Sequence, residues 1–253
     1  MSKKPPAAML RLPADRPSEN GGGPVVEPSQ VVCPNWPLVV AHQAVREVYY
    51  MGADATKKLC CCCPSPSAGY KPIGGPKKVL FIRHGQGAHN RTVANWGLVD
   101  PELTDEGEAQ VGLLYEQLSN EDLSAIELIA VSPLTRAMQT ATGGLAGCSA
   151  PYVMTPLLRE RLGAPCDTGR TRTELLRCFP QIAKWEGVAS LPELWWSTST
   201  EYDLLDRVEE LKQWIMARPE KTIAVVGHGG LFSRILGFHL KNCGYKWQTI
   251  GAE

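Results

Sequence analysis

The chain has 253 residues, and its 26 Lys plus Arg balance its 26 Asp plus Glu. Hydrophobic residues make up 43% and charged residues 21%, a globular composition with enough apolar material for a core. The balanced charge argues against generic nucleic-acid binding, which needs excess Lys and Arg to neutralise phosphates, and no apolar run approaches the ~20 residues of a membrane-spanning helix.

Residues 1–76 hold 12 of the 20 Pro and the triplet Gly21-Gly22-Gly23. They carry eight Lys and Arg against five Asp and Glu, a net +3, whereas residues 77–253 carry 18 against 21, a net −3. The first part reads as an extended, partly disordered arm. Inside it a short helix is expected near 37–51. Leu38, Val39, Ala41, Ala44, Val45, Val48 and Tyr49 recur at roughly helical spacing there, with Asn35 as cap and Pro37 in the first turn. That helix would dock on the main domain or serve a partner. Met1 to Pro6 has no apolar stretch of the secretory kind, and Asp15, Glu19 and Glu27 weaken a transit-peptide reading, so a cytoplasmic protein is expected.

Nine Cys, an odd number, fit free thiols in a reducing compartment. Cys60, Cys61, Cys62 and Cys63 follow Lys57-Lys58 in a Pro-rich segment. The run suits S-palmitoylation, and two or more acyl chains would give peripheral membrane attachment. Exposed thiols without an assigned role, and metal or redox chemistry, are the other readings of the same run.

From Lys77 the pattern becomes regular, and residues 77–253 read as one domain. Val79 to Ile82 is a short apolar run, consistent with a buried strand. Thr104, followed by Asp105 and Glu106, opens a helix carrying Val111, Leu114, Tyr115 and Leu118. Leu128 to Val131 reads as a strand, Ser132-Pro133 as the start of a helix through Thr142, and Val153-Met154 as a third strand. Thr171 and Glu174 form a capping box for a short helix ending before Pro180. Leu204, Leu205, Val208, Leu211, Trp214 and Ile215 mark a longer helix, and Ile223 to Val226 a strand followed by a helix from about Leu231. Strands alternating with helices predict an α/β fold, a three-layer α/β/α arrangement around a mostly parallel central sheet.

In such a sheet ligands bind beyond the carboxyl ends of the strands. One strand runs into Arg83-His84-Gly85-Gln86-Gly87-Ala88-His89-Asn90. A second runs into Ser132-Pro133-Leu134-Thr135-Arg136, and the last into Gly227-His228-Gly229-Gly230. A pair of His could hold a metal, but two guanidiniums beside it would repel a cation. Arg83 and Arg136 suit a phosphate instead, since the planar fork binds its oxygens in pairs. A histidine among phosphate-binding groups can act as a nucleophile. No metal and no cofactor are expected.

R-H-G after the first strand, then L-T-D-E-G, S-P-L-T-R-A-x-x-T-A and G-H-G, in this order across residues 77–240, resembles the histidine phosphatase superfamily in its phosphoglycerate mutase-like branch. A closer likeness is to the plant and fungal phosphoglycerate mutase-like proteins. It is carried by His84 to Asn90 with Gln86, by Leu158-Arg159-Glu160-Arg161-Leu162-Gly163 with Cys166-Asp167, by Phe179-Pro180-Gln181-Ile182 and by Trp195-Trp196. The resemblance implies that His84 attacks phosphorus and becomes a phosphohistidine, its other ring nitrogen held by the carbonyl of Gly85. It implies that Arg83, Arg136 and His228 surround the phosphoryl oxygens and stabilise their charge, and that Asn90 contacts the same group. Glu160 matches the general acid, which must carry a proton for the first step. The acid-phosphatase and phytase branch instead places an Asp directly after the second His, and that position here is Gly229, so Glu160 is the better candidate; Gly229 counts with the substrate-binding residues.

Residues 157–178 hold Arg159, Arg161, Arg170, Arg172 and Arg177 against Glu160, Asp167 and Glu174. They are ordinary solvated charges, or a cap that recognises an anionic substrate, with Arg170 the first candidate. His89 is packing or ligand contact. Trp195 and Trp196 read as packing, with the substrate mouth as the alternative. The domain of about 177 residues is compact beside dedicated mutases. A phosphomonoester hydrolase acting on a small phosphorylated substrate is therefore the preferred reading. A phosphoglycerate mutase comes second, and a non-catalytic binding protein on this fold third.

Overall fold

The computed structural model describes residues 75–196 and 201–251, without the side chains of residues 201–203. The expected helix near 37–51 and the run from Cys60 to Cys63 lie outside the described residues.

Five strands form one sheet: β1 (Lys77–Arg83), β2 (Leu128–Val131), β3 (Tyr152–Met154), β4 (Thr222–Gly227) and β5 (Tyr245–Ile250), in the order β3-β2-β4-β1-β5. The first four are mutually parallel, and β5 lies antiparallel to β1 at the edge. The helices are α1 (Asp105–Gln117), α2 (Asn120–Ala125), α3 (Thr135–Gly144), α4 (Arg172–Cys178), α5 (Glu201–Ala217) and α6 (Gly229–Leu236). The mostly parallel α/β sheet is as expected.

The alternation of side chains along each strand builds two cores. Leu80, Ile82, Ile129, Val131, Ala224 and Val226 face α1 and α3, where they meet Val111, Leu114, Ala137 and Met138. Val79, Phe81, Leu128, Ala130, Ile223 and Val225 face Leu204, Val208, Leu211 and Ile215 of α5 and Leu231 and Phe232 of α6. Phe81 and Phe232 meet edge to face at 5.2 Å between ring centroids. Each fully buried aliphatic or Phe side chain contributes about 1.5–3 kcal/mol, so both faces hold the sheet between its helices.

The sheet order also builds the site. After β1 the chain skips a position, forms β2 and β3, and returns to place β4 between β1 and β2. Arg83 pairs in register with Gly227, and Val131 with Val226. The next residues, His84, His228 and Ser132, therefore emerge side by side at the carboxyl edge.

Four local features differ from expectation. The helix after β2 begins at Thr135 rather than at Ser132-Pro133, and its N-cap residue Leu134 makes no side-chain cap bond. Helix α2, with a Ser119–Asp122 capping box, is too short to announce itself by periodicity. Helix α6 starts at Gly229, directly after His228. Strand β5 carries no apolar run, because it is an edge strand whose residues are at most partly buried.

Candidate active site

Arg83, His84, Asn90, Arg136 and Glu160 line one cavity of about 660 Å³. His228 lies fully buried, its ring centroid 5.1 Å from that of His84. The sheet edge thus brings together six of the eight expected site residues.

The Nδ1 of His84 lies 2.6 Å from the carbonyl oxygen of Gly85. A carbonyl only accepts, so Nδ1 carries the proton and the lone pair of the neutral ring sits on Nε2. The loop itself is pinned. Asn242 Nδ2 donates to the His84 carbonyl at 3.1 Å, and the Gly85 amide donates to Thr140 Oγ1 at 3.0 Å. Burial, and then the positive charges of Arg136 and Arg83, hold the His84 imidazole well below its ordinary pKa. Burial first, then Arg136, does the same to His228.

Each arginine is fastened at one end. Arg83 Nη1 donates to the carbonyl of Leu240 at 2.8 Å. Arg136, only 1% exposed, donates from Nη1 to the Cys166 carbonyl at 2.7 Å and pairs through Nη2 with Asp167 Oδ1 at 3.2 Å. Among the described residues, Arg83 Nε, Arg136 Nε and His228 Nδ1 are buried nitrogens without a hydrogen-bond partner. An unpaired buried donor is costly, and the two arginine Nε–H groups suit an anion.

His228 is oriented by Ser132, whose Oγ lies 2.8 Å from Nε2. The same Oγ accepts from the Leu134 amide at 3.3 Å. Ser132, directly after β2, is therefore a brace for the second histidine, a role its position before Pro133 did not reveal.

Glu160 lines the same cavity. Its Oε2 accepts from the Gly230 amide at 2.9 Å, and its Oε1 from the Arg161 amide at 2.8 Å. A Cβ on Gly230 would lie 2.4 Å from Oε1, so the carboxylate fits only against glycine. Gly229 does not line the cavity and instead leaves room for Arg83, since a Cβ there would lie 3.1 Å from Arg83 Nε. The Glu160 segment is held from behind by Arg207 of α5, 2% exposed, which donates to the Arg159 carbonyl and reaches the Leu157 carbonyl at 3.4 Å. Arg207 was invisible in the sequence, where an arginine on a helix reads as a solvated charge.

Asn90 Oδ1 accepts from the Gly87 amide at 3.0 Å and from Asn242 Nδ2 at 3.4 Å. Both donors fix the amide so that its NH₂ is the end left for a ligand. His89 is buried, lines the cavity and is held near a pKa of about 3 by burial and then by Arg136 and Arg83. Gln86 has a structural role: its Oε1 accepts from Thr104 Oγ1 at 2.8 Å, tying the loop to the start of α1. Cys166 lines the cavity with its thiol pushed up to about 11 by burial, then by Asp167.

Arg170 stands apart from the expectation. It is not among the residues that line the cavity, and its Nε lies 3.2 Å from Asp100 Oδ2. Asp100 is fully buried and also accepts from the Thr135 amide at 2.8 Å. Trp195, whose Nε1 donates to the Arg170 carbonyl at 2.8 Å, belongs to the core and not to the mouth.

Residues 79–247 match the family model of the histidine phosphatase superfamily (branch 1). The chain belongs to this superfamily. A phosphoglycerate mutase-like protein of Arabidopsis thaliana is 28% identical over 215 residues, covering 69% of this chain and 79% of that protein. A protein of Schizosaccharomyces pombe named as a probable phosphatase is 32% identical over 166 residues, covering 62% of this chain and 76% of that one. Among solved structures, a mutant phosphoserine phosphatase of Entamoeba histolytica in complex with phosphoserine is similar at a TM-score of 0.44 and 23% identity, covering 68% of this chain and 89% of that one. Histidine phosphatase motifs thus fall on the described sheet edge.

Proposed function

We propose that the protein hydrolyses phosphomonoesters through a phosphohistidine at His84, with Glu160 as general acid. The observation that carries this reading is the bond from His84 Nδ1 to the Gly85 carbonyl at 2.6 Å, which leaves Nε2 as a neutral nucleophile beside Arg83 and Arg136. Nε2 attacks phosphorus. The ester P–O bond breaks with its electron pair on the leaving oxygen, which takes a proton from Glu160. Arg83, Arg136, Asn90 and the free Nδ1–H of His228 hold the phosphoryl oxygens, whose charge is the main thing to stabilise. The Ser132 hydroxyl accepts from Leu134 and donates to His228 Nε2, which keeps the His228 proton on Nδ1. In the second half, water attacks the phosphohistidine and gives its proton to Glu160. The P–N bond breaks, its electrons return to Nε2, and inorganic phosphate leaves.

The names of the Arabidopsis relatives favour a second reading, phosphoglycerate mutase. Phosphate release from phenyl phosphate, measured for the wild type and for His84→Ala, tests the first. The wild type is expected to turn over and to trap one acid-labile phosphoryl group per chain, and the variant to do neither. Interconversion of 2- and 3-phosphoglycerate without phosphate release would establish the mutase instead.

A further inference from the structure

The cavity is much larger than a phosphoryl group. Its volume of about 660 Å³ falls within the range of sites that enclose a whole organic ligand. Two aromatic rings line it on the solvent side. Trp96 is 50% exposed and Phe238 46% exposed, and among the described residues they are the two exposed large aromatic rings. They arrive on separate, anchored loops. Trp96 sits on a short turn, Val93–Gly97, whose Asn95 Nδ2 donates to the Ala88 carbonyl at 2.8 Å, next to His89 and Asn90. Phe238 follows Gly237, whose φ of +80° ends α6 in the left-handed conformation that glycine adopts without strain. The helix that begins beside Glu160 therefore ends by delivering a ring to the same cavity.

We infer that the site selects phosphomonoesters whose leaving group carries an aromatic ring, and that Trp96 and Phe238 are the residues that recognise it. This rests on the proposed hydrolysis for its reaction but on the cavity wall for its selectivity. The two exposed rings lie in one cavity with His84, so a leaving group departing from phosphorus toward solvent passes them. Stacking or edge contact with a second aromatic ring supplies about a twofold to tenfold preference beyond simple burial. A small polyol or carboxylate leaving group gains nothing from either ring.

The test compares 2-naphthyl phosphate with phenyl phosphate, whose leaving groups differ little in acidity but much in aromatic area. In the wild type, kcat/KM for the naphthyl ester is expected to exceed that for the phenyl ester about tenfold, mainly through KM. Trp96→Ala and Phe238→Ala should each pull the ratio toward one. Val93→Ala, on the same turn but outside the cavity, should keep it. Both rings are half exposed, so neither replacement threatens the fold. A wild-type ratio near one, or a ratio unmoved by both ring variants, overturns the inference. If neither ester releases phosphate, it is the proposed hydrolysis that falls. The preference is then read from calorimetric binding of the two esters to the His84→Ala protein, where the same ratio and the same loss in the ring variants are expected, and equal affinities overturn the inference.

Discussion

Asp100 caps helix α3 from 35 residues away, its Oδ1 accepting from the Thr135 amide at 2.8 Å and its Oδ2 from the Thr135 hydroxyl at 2.5 Å. The next residue is Arg136. The cap therefore sets where the helix starts, and with it the position of the guanidinium that lines the cavity with His84. Asp100 adopts a φ of +43°, a conformation that Asp and Asn tolerate better than other residues. Asp100→Ala removes the cap, strands the Thr135 amide and leaves Arg170 without its carboxylate. The expected loss is about 2–4 kcal/mol in urea unfolding, with kcat/KM down at least tenfold because Arg136 loosens. Asp100→Asn keeps one acceptor and the backbone conformation, so it should fall between Ala and the wild type. Equal stability of the Ala variant and the wild type would remove the capping argument.

Gly230 and Glu160 make a second, sharper test. A methyl group at position 230 would meet the end of a flexible side chain, so the fold can absorb it while the carboxylate swings away. Gly230→Ala should unfold normally yet lose about 10²-fold in kcat/KM on an alkyl phosphate, the scale of a missing general acid. Phenyl phosphate needs less protonation at its leaving oxygen and should lose less. Glu160→Gln should show the same pattern. If alkyl and aryl esters fall together, the acid role is misassigned.

Ser132→Ala tests how His228 is oriented. The variant removes the partner of a fully buried ring nitrogen, at a cost of about 1–3 kcal/mol. The neutral ring can then carry its proton on either nitrogen. A drop of about tenfold in kcat is expected, with KM little changed, because the lost donor acts on charge that grows in the transition state. A rise in KM with normal kcat would place Ser132 in ground-state binding instead.

The pH dependence follows from the histidines. His84, His89 and His228 are all held below their ordinary pKa, burial being the first cause for each. The unfolded chain takes up protons on these rings as pH drops through 6.5, while the folded chain does not. Stability from this source is therefore fully present above pH 6.5 and falls as pH falls toward the folded values, about 3 for His89. Denaturant melts between pH 7 and pH 5 should show unfolding coupled to the uptake of up to three protons. His89→Gln should lower that uptake by about one proton. The nucleophile itself should stay neutral across this window, so single-turnover phosphorylation should keep its rate where stability is already declining. A phosphorylation rate that drops with an apparent pKa near 6.5 would contradict the buried, cation-flanked setting of His84.

Much of the fold was legible because its signals are local. Apolar runs at Val79–Ile82, Leu128–Val131 and Ile223–Val226 became the three central strands, and the Thr104 cap and the Thr171–Glu174 box opened helices where expected. Strand β5 was not legible, since an edge strand whose residues are at most partly buried lacks an apolar run. The start of α3 was misplaced because its cap is not a neighbour in sequence but Asp100.

The sequence by itself determined the chemistry at the strand ends. Arg83, His84 and His228 come at or just past the ends of short apolar runs, and a parallel sheet sends every such ending to the same edge, whereas Arg136 reaches it from the first turn of α3. Tertiary structure decided which remaining charges serve that edge. Arg170 and Arg207 are alike as residues, yet one pairs with buried Asp100 and the other braces the carbonyls behind Glu160. It also put Trp96 and Phe238, rather than Trp195 and Trp196, in the cavity wall. The physical reason is that a guanidinium or a ring takes its role from the groups packed against it, and those groups here lie tens of residues away along the chain.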